Sequence, residues 1–282
     1  MIDRRALLTG ATAFVAGTAQ AQTGSSDGLA LNGAWRQGGF ALGRTWPRAL
    51  VFVDGEALTA ASATGLFVVG FDRDAPASTV IETRLGGRTA RRRLDITTHQ
   101  FPRAVINGLP PSTVEPTDPA LLERIQRESA LKQAAFASRV DAEDFAGGFA
   151  WPLDSYRISS AWGSQRVLNG TPARPHYGLD MAAPQGSVIR APAAGTVAMA
   201  RSGLHFEGGL TLIDHGQGLI SVYLHQSALD VAAGDRVQRG QAIGRVGRTG
   251  RATGPHLCWR MKWRDRNLDP SLMVGARAPE SV

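Results

Sequence analysis

Leu219-Ile-Ser-Val-Tyr-Leu-His225 alternates as a strand does and closes on an imidazole. Glycines recur every few residues around it, between short β-rich runs at 188–191, 195–200, 210–214 and 242–246. Such spacing predicts an all-β unit with many tight turns. The stretch from Gly234 to Gly244 reads as a hairpin. His215 falls in the turn Asp214-His-Gly-Gln-Gly218, which points to a structural role, and His205 carries no signal of its own.

Two further stretches of this unit bear donors. Gly254-Pro-His256-Leu-Cys258-Trp-Arg260 sets two donor side chains two residues apart. On a strand, positions i and i+2 share a face, so His256 and Cys258 address one point and Leu257 turns to a core. His176-Tyr-Gly-Leu-Asp180 sets an imidazole and a carboxylate four residues apart, just after Pro175 and around Gly178. Zinc takes a neutral ring nitrogen and a hard anionic oxygen at about 2.0–2.2 Å. Alone, the pair also fits a turn with a solvated Asp, and His225 alone fits packing. The chain has no His-Glu-x-x-His, so a helix-borne metalloprotease site with a Glu base is absent.

Residues 1–21 read as an export signal. Arg4 and Arg5 precede a mildly apolar run, and Ala19-Gln20-Ala21 offers small residues for cleavage. The run is too short to span a membrane, and its paired arginines resemble a twin-arginine signal. No later stretch is apolar enough for an integral membrane segment. Residues 33–112 form a β-rich accessory unit, a small β-sandwich with strands expected at 40–44, 49–53, 66–72, 80–85 and 90–97. His99 stands alone there. A Pro-rich connector at 107–119 leads into a linking helix at 118–140, capped by Asp118 with Pro119 in its first turn. Leu121, Leu122, Ile125 and Leu131 form its apolar stripe, and Glu123, Arg124, Arg127, Glu128 and Lys132 its solvated face. Residues 141–148 read as a linker and 149–274 as the second unit.

The hydrophobic content of 43% suffices for a sizeable core, and a single Cys excludes an internal disulfide. The net charge of +7 is carried by Arg, since Lys132 and Lys262 are the only lysines. An exported cationic protein meets wall polymer rather than nucleic acid.

The ordered series Ile158-Ser-Ser-Ala-Trp-Gly-Ser-Gln-Arg166, His176-Tyr-Gly-Leu-Asp180, Ala191-Pro-Ala-Ala-Gly195, Ile213-Asp-His-Gly216, Tyr223-Leu-His225, Gly240-Gln-Ala-Ile-Gly244 and Thr249-Gly-Arg-Ala-Thr-Gly-Pro-His-Leu257 resembles the M23 zinc metallopeptidases, the lysostaphin and LytM-like peptidoglycan hydrolases. The resemblance implies a mainly β fold with a C-terminal groove of antiparallel sheets. It implies Zn2+ held by His176, Asp180 and the residue at 258. It also implies His225 and His256 as catalytic histidines that exchange protons with a water and stabilise the oxyanion of a hydrolysed amide. The family has His where Cys258 stands. A thiolate binds zinc well, at about 2.3 Å, but with Asp180 it makes two anionic ligands and a weaker Lewis acid. The implied protein is a periplasmic or cell-envelope endopeptidase acting on peptidoglycan cross-links. Two alternatives stay open: a degenerate module that binds the wall or activates a cell-wall amidase, and a cysteine peptidase with Cys258 as nucleophile.

Overall fold

The structure, a computed structural model, describes residues 22–282, so the expected export signal lies outside the described residues. Strands dominate, with a single α-helix, Pro119–Phe136, among the described residues. The C-terminal part is built on an eight-stranded sheet. Its order is Arg157–Ser160, Leu179–Ala182, His256–Trp263, Leu219–Gln226, Gly208–Asp214, Gly195–Leu204 and Arg236–Val237, with Arg266–Leu268 added to His256–Trp263. All these pairings are antiparallel. Every position of Leu219–Gln226 is buried because both faces are covered. Leu219 and Tyr223 enter the main core, while Ile220, Val222 and Leu224 enter a second cluster with Met199, Leu204, Leu210, Leu212 and Cys258. The alternation in the sequence is therefore real, with an apolar environment on each side.

The expected hairpin at 234–244 does not form. Arg236–Val237 joins the large sheet, whereas Ala242–Arg245 joins Val188–Arg190 and Ala228–Leu229 in another. Val237 and Ile243 are both fully buried, and Gly240 N donates to Ala191 O at 2.8 Å, which ties the turn to a different loop.

The N-terminal part forms two four-stranded sheets. One has the order Gln22–Ser26, Leu29–Ala34, Phe40–Thr45, Leu66–Gly70, and the other Glu56–Ala60, Leu50–Val53, Ser78–Leu85, Arg88–Asp95. The five expected strands fall on members of these sheets, while Leu29–Ala34 and Glu56–Ala60 had no reading. Just before the expected Pro-rich connector, Arg103–Ile106 is also a strand. It pairs in parallel with Gln165–Leu168, a partner too distant in sequence to be foreseen.

One apolar cluster runs through both parts, from Leu29, Phe40 and Phe67 to Trp259, Trp263, Leu268 and Met273. Phe145, inside the expected linker, is fully buried in it. Gly70 shows how closely the parts approach: a Cβ there would lie 2.8 Å from Leu268 Cδ2 and 3.1 Å from Trp263 Cβ. The Gln217 side chain adds a polar clasp, donating to Leu66 O at 2.9 Å and accepting from Val68 N at 3.3 Å.

The helix starts as expected, with Asp118 accepting from Leu121 N at 2.7 Å and Pro119 first in the helix, but it ends at Phe136. Its faces differ from expectation. Leu122 and Leu131 are 45% and 42% exposed, and the buried residue is Glu128. The Glu128 carboxylate accepts from His205 N at 2.9 Å and from Arg124 Nε at 2.8 Å, and Lys132 pairs with Glu207 at 2.5 Å. The helix lies over the end of the Gly195–Leu204 hairpin, where a backbone N–H and a carboxylate are the available partners.

His215 is structural, as its turn position predicts. Fully buried, it lies with Nδ1 2.6 Å from Ala194 O and Nε2 2.7 Å from Ser221 Oγ. With Nδ1–H donating to the carbonyl and Nε2 accepting from the hydroxyl, the neutral ring is satisfied. Burial pushes its pKa down to about 4. From about pH 6.5, where a solvated His titrates, down to that value, the unfolded chain takes up a proton that the folded chain refuses. Stability therefore falls with pH across this window, by about 1.4 kcal/mol per pH unit from this group. His215→Asn should remove one proton from the pH dependence of urea unfolding between pH 6.5 and 4. An unchanged slope would show that His215 does not titrate this way.

Candidate metal centre

The large sheet assembles the donors by register. Asp180 and Cys258 are direct cross-strand partners, Ser160 pairs with Asp180, and Leu224 pairs with Cys258 on its other side. Asp180 and Cys258 therefore project from the same face. His176, just before the strand Leu179–Ala182, is brought over them by a turn at Gly178. A Cβ on Gly178 would lie 2.5 Å from Cys258 Sγ and 3.2 Å from His176 Nε2, so position 178 has no room for a side chain.

His176, Asp180 and Cys258 are all buried, and their donor atoms lie within 4.8 Å of one another. Cys258 Sγ is 3.4 Å from His176 Nε2, and Asp180 Oδ1 is 3.0 Å from the same nitrogen. Ligand atoms bonded at about 2.0–2.3 Å around a tetrahedral ion stand roughly 3.3–3.8 Å apart. His176 Nδ1 lies 3.2 Å from Ser160 Oγ, and a proton on Nδ1 leaves Nε2 with its lone pair toward Asp180 and Cys258. Asp180 Oδ1 is buried without a hydrogen-bond partner. Three electron-pair donors thus converge with nothing between them, an arrangement that fits a metal ion.

The ionisation of these groups follows from the same packing. Burial works to raise the Asp180 carboxyl, but the His176 ring, His256 and Arg166 hold it well below the usual carboxylate range. Burial, and then the Asp180 charge, push the metal-free Cys258 thiol up to about 12, so metal binding there must expel a proton. Burial also lowers His176, which favours the neutral ring that a metal requires.

His225 and His256 face each other across the site, with ring centroids 4.7 Å apart. Their Nδ1 atoms lie 2.8 Å from Thr249 O and 2.8 Å from Gly254 O, so each Nδ1–H donates to a carbonyl. Each Nε2 is left as an acceptor, and that of His256 stands 3.8 Å from Asp180 Oδ1. Burial, then the His256 charge, push His225 down to about 3. His225 holds a left-handed backbone at φ 67°, a costly conformation for a residue with a Cβ that re-aims the ring at the strand's end. His99, His205 and His215 lie outside the donor group.

A cavity of about 730 Å³ opens over these residues, lined also by Arg166, Tyr177, Arg251, Arg260 and Lys262. Ile106, Leu109 and Val114 line it as well. The segment between them is tied down at both ends: Leu109 N donates to Asn169 Oδ1 at 3.1 Å and Asn169 Nδ2 donates to Leu109 O at 2.8 Å, while Arg251 Nη1 donates to Thr113 O at 2.8 Å and His205 Nε2 lies 3.1 Å from Ser112 O.

Peptidase family M23 matches over residues 174–270. A crystal structure of a Pseudomonas aeruginosa protein assigned to peptidase M23 is 30% identical, covers 86% of this chain and 95% of its own, and has a TM-score of 0.65. The chain belongs to peptidase family M23. Among curated relatives, the peptidoglycan DD-endopeptidase ShyA of Vibrio cholerae is 40% identical over 122 residues, which are 42% of this chain and 28% of ShyA. The DD-carboxypeptidase/endopeptidase Mpg of Neisseria meningitidis is 39% identical over 136 residues, 48% of this chain and 31% of Mpg. The chain thus spans less than a third of the length of these two relatives.

Two arginines of this M23 site carried no role in the sequence reading. Arg166 Nη2 contacts Asp180 Oδ2 at 3.1 Å, and Arg260 Nε donates to Cys258 Sγ at 3.4 Å. Arg260 was open to the alternation argument, since it continues the face of His256 and Cys258. Arg166 was not, because its place depends on how the strand Gln165–Leu168 is set against the large sheet.

Proposed function

We propose that this M23 chain is an exported zinc metalloendopeptidase that hydrolyses peptide cross-links of peptidoglycan. The observation that carries the reading is the convergence of His176, Asp180 and Cys258 beneath two histidines whose Nε2 atoms face the same groove. His176, Asp180 and the Cys258 thiolate would hold the ion. Bound zinc supplies Lewis acidity to the scissile carbonyl and to a nearby water. The protein's own groups do the rest. Ser160 Oγ can accept from His176 Nδ1–H, leaving Nε2 for the ion, and Arg166 holds one oxygen of Asp180 so that the other faces the donors. The carbonyls of Thr249 and Gly254 orient His225 and His256, so that each Nε2 faces the groove; His256 would take the proton from water and return it to the leaving amine, and His225, held neutral by burial, would position the water or the substrate oxygen. The arginines along the cavity suit a substrate with carboxylates. The names of ShyA and Mpg favour D,D cross-links.

Cys258 as a nucleophile fares worse. It sits mid-strand, fully inside the sheet, with its thiol pushed up to about 12 by burial, where a reactive cysteine needs a stabilised thiolate. No amidase partner is proposed, since both curated relatives described above are named as peptidases. Residues 1–21 would deliver the protein to the periplasm or cell envelope by the twin-arginine route. Arg4→Lys with Arg5→Lys should leave precursor in the cytoplasm, and normal export of that variant would exclude the route.

Cys258→His tests the zinc reading. Imidazole replaces thiolate, one negative charge leaves the site, and the ion becomes a stronger Lewis acid. Hydrolysis of cross-linked peptidoglycan should persist or rise, and chelation should abolish wild-type activity until zinc is restored. Wild-type activity that resists chelation and is lost in Cys258→His would overturn the assignment.

A further inference from the structure

We infer that Arg260 is a positioning residue for the metal ligand Cys258: its guanidinium neutralises the thiolate, as Arg166 neutralises Asp180. The inference rests on the zinc reading above and concerns what allows a thiolate to serve at this position. His256, Cys258 and Arg260 alternate along one strand face, while Leu257, Trp259 and Met261 on the other are buried in the main core. Arg260 Nε donates to Cys258 Sγ at 3.4 Å. Among the described residues the sulfur is the only hydrogen-bond partner of this side chain. Gly178 makes room for both groups at once: a Cβ there would lie 2.5 Å from Cys258 Sγ and 3.1 Å from Arg260 Cγ.

The other anionic ligand has the same arrangement. Arg166 Nη2 lies 3.1 Å from Asp180 Oδ2, while His176, the neutral ligand, has only a hydroxyl, Ser160 Oγ, at its outer nitrogen. Each anionic donor thus has its own fixed cation, and neither guanidinium loses its charge near neutral pH. Two anionic ligands would offset most of a divalent ion's charge toward a substrate carbonyl. Two guanidinium groups restore it. A neutral imidazole in place of the thiolate would need no such cation, so Arg260 and Cys258 should be energetically coupled.

The test is a double-mutant cycle on the full chain. Zinc affinity is measured by competition with a chelator of known affinity in wild type, Arg260→Gln, Cys258→His and the double variant. Beside Cys258, Arg260→Gln should weaken zinc by about 10–100-fold, and Arg260→Lys by less, because charge is kept while the bond geometry is lost. In the Cys258→His background, the same change should alter affinity less than about threefold or strengthen it. In cobalt-substituted protein the sulfur-to-metal charge-transfer band should move in Arg260→Gln, a readout that general loss of packing would not shift. Equal weakening in both backgrounds, or none beside Cys258, overturns the inference and leaves the zinc reading standing. A wild type that takes up no zinc, or whose cobalt form lacks the sulfur band, overturns the zinc reading and this inference with it. Should Arg260→Gln fail to fold, Arg260→Lys completes the same cycle.

Discussion

Asp180→Ala is expected to strip stoichiometric zinc from the purified protein and to abolish hydrolysis of cross-linked peptidoglycan, while the fold survives. The loss should exceed the about 10–100-fold typical of removing an outer partner, since a ligand itself is gone. His176 and Cys258 alone would offer the ion one nitrogen and one sulfur. The fold should persist because backbone pairing of Asp180 with Cys258 does not need the carboxylate. The cost is local: Arg166, 3.1 Å from Asp180 Oδ2, loses its partner, a penalty of about 1–3 kcal/mol. Metal analysis of the purified variant, beside its thermal melt, checks both halves. Undiminished zinc content would sink the assignment of Asp180.

Trp263→Ala should be the most destabilising of the changes considered. The indole is fully buried, and its Cβ lies against Gly70 of the N-terminal sheet, where the two parts share one apolar cluster. Truncating a buried Trp costs about 3–5 kcal/mol through lost transfer energy and the cavity left behind. Its indole N–H has no hydrogen-bond partner, but the Arg264 and Arg266 guanidiniums, 5.6 and 5.4 Å from the ring centroid, would lose their contact with it. Against a total stability of about 5–15 kcal/mol this is a large fraction. At about 2–4 °C per kcal/mol for a chain of this size, the melting temperature should fall by roughly 6–20 °C. Because the cluster is continuous, the N-terminal and C-terminal sheets should melt in one transition. A shift under about 2 °C, or a transition confined to one part, would contradict the shared core.

What was legible in the sequence depended on range. Leu219–Gln226 shows its period in its own residues, and the spacings His176 to Asp180 and His256 to Cys258 let donors be picked out before any fold was known. The structure brings those four residues and His225 together at one site. Arg166 was invisible because its role lies in a contact between strands that do not neighbour in the chain. Glu128 was misread for the same reason: a carboxylate on a helix reads as solvated until a distant backbone N–H, that of His205, arrives to meet it. The stretch at 234–244 failed differently. Its local pattern suits a hairpin, but two other strands compete for its edges and win. The strand Arg103–Ile106 was hidden by its proline-rich surroundings, which argue against helix and say nothing of a partner supplied by Gln165–Leu168.

The segment 107–113 also ties the chain's two parts together at the rim of the site. Its anchors, Asn169, Arg251 and His205, all belong to the C-terminal part, and the four hydrogen bonds are each worth about 1 kcal/mol. The rim and the N-terminal sheets are therefore mechanically coupled: neither can drift from the other without giving up those contacts.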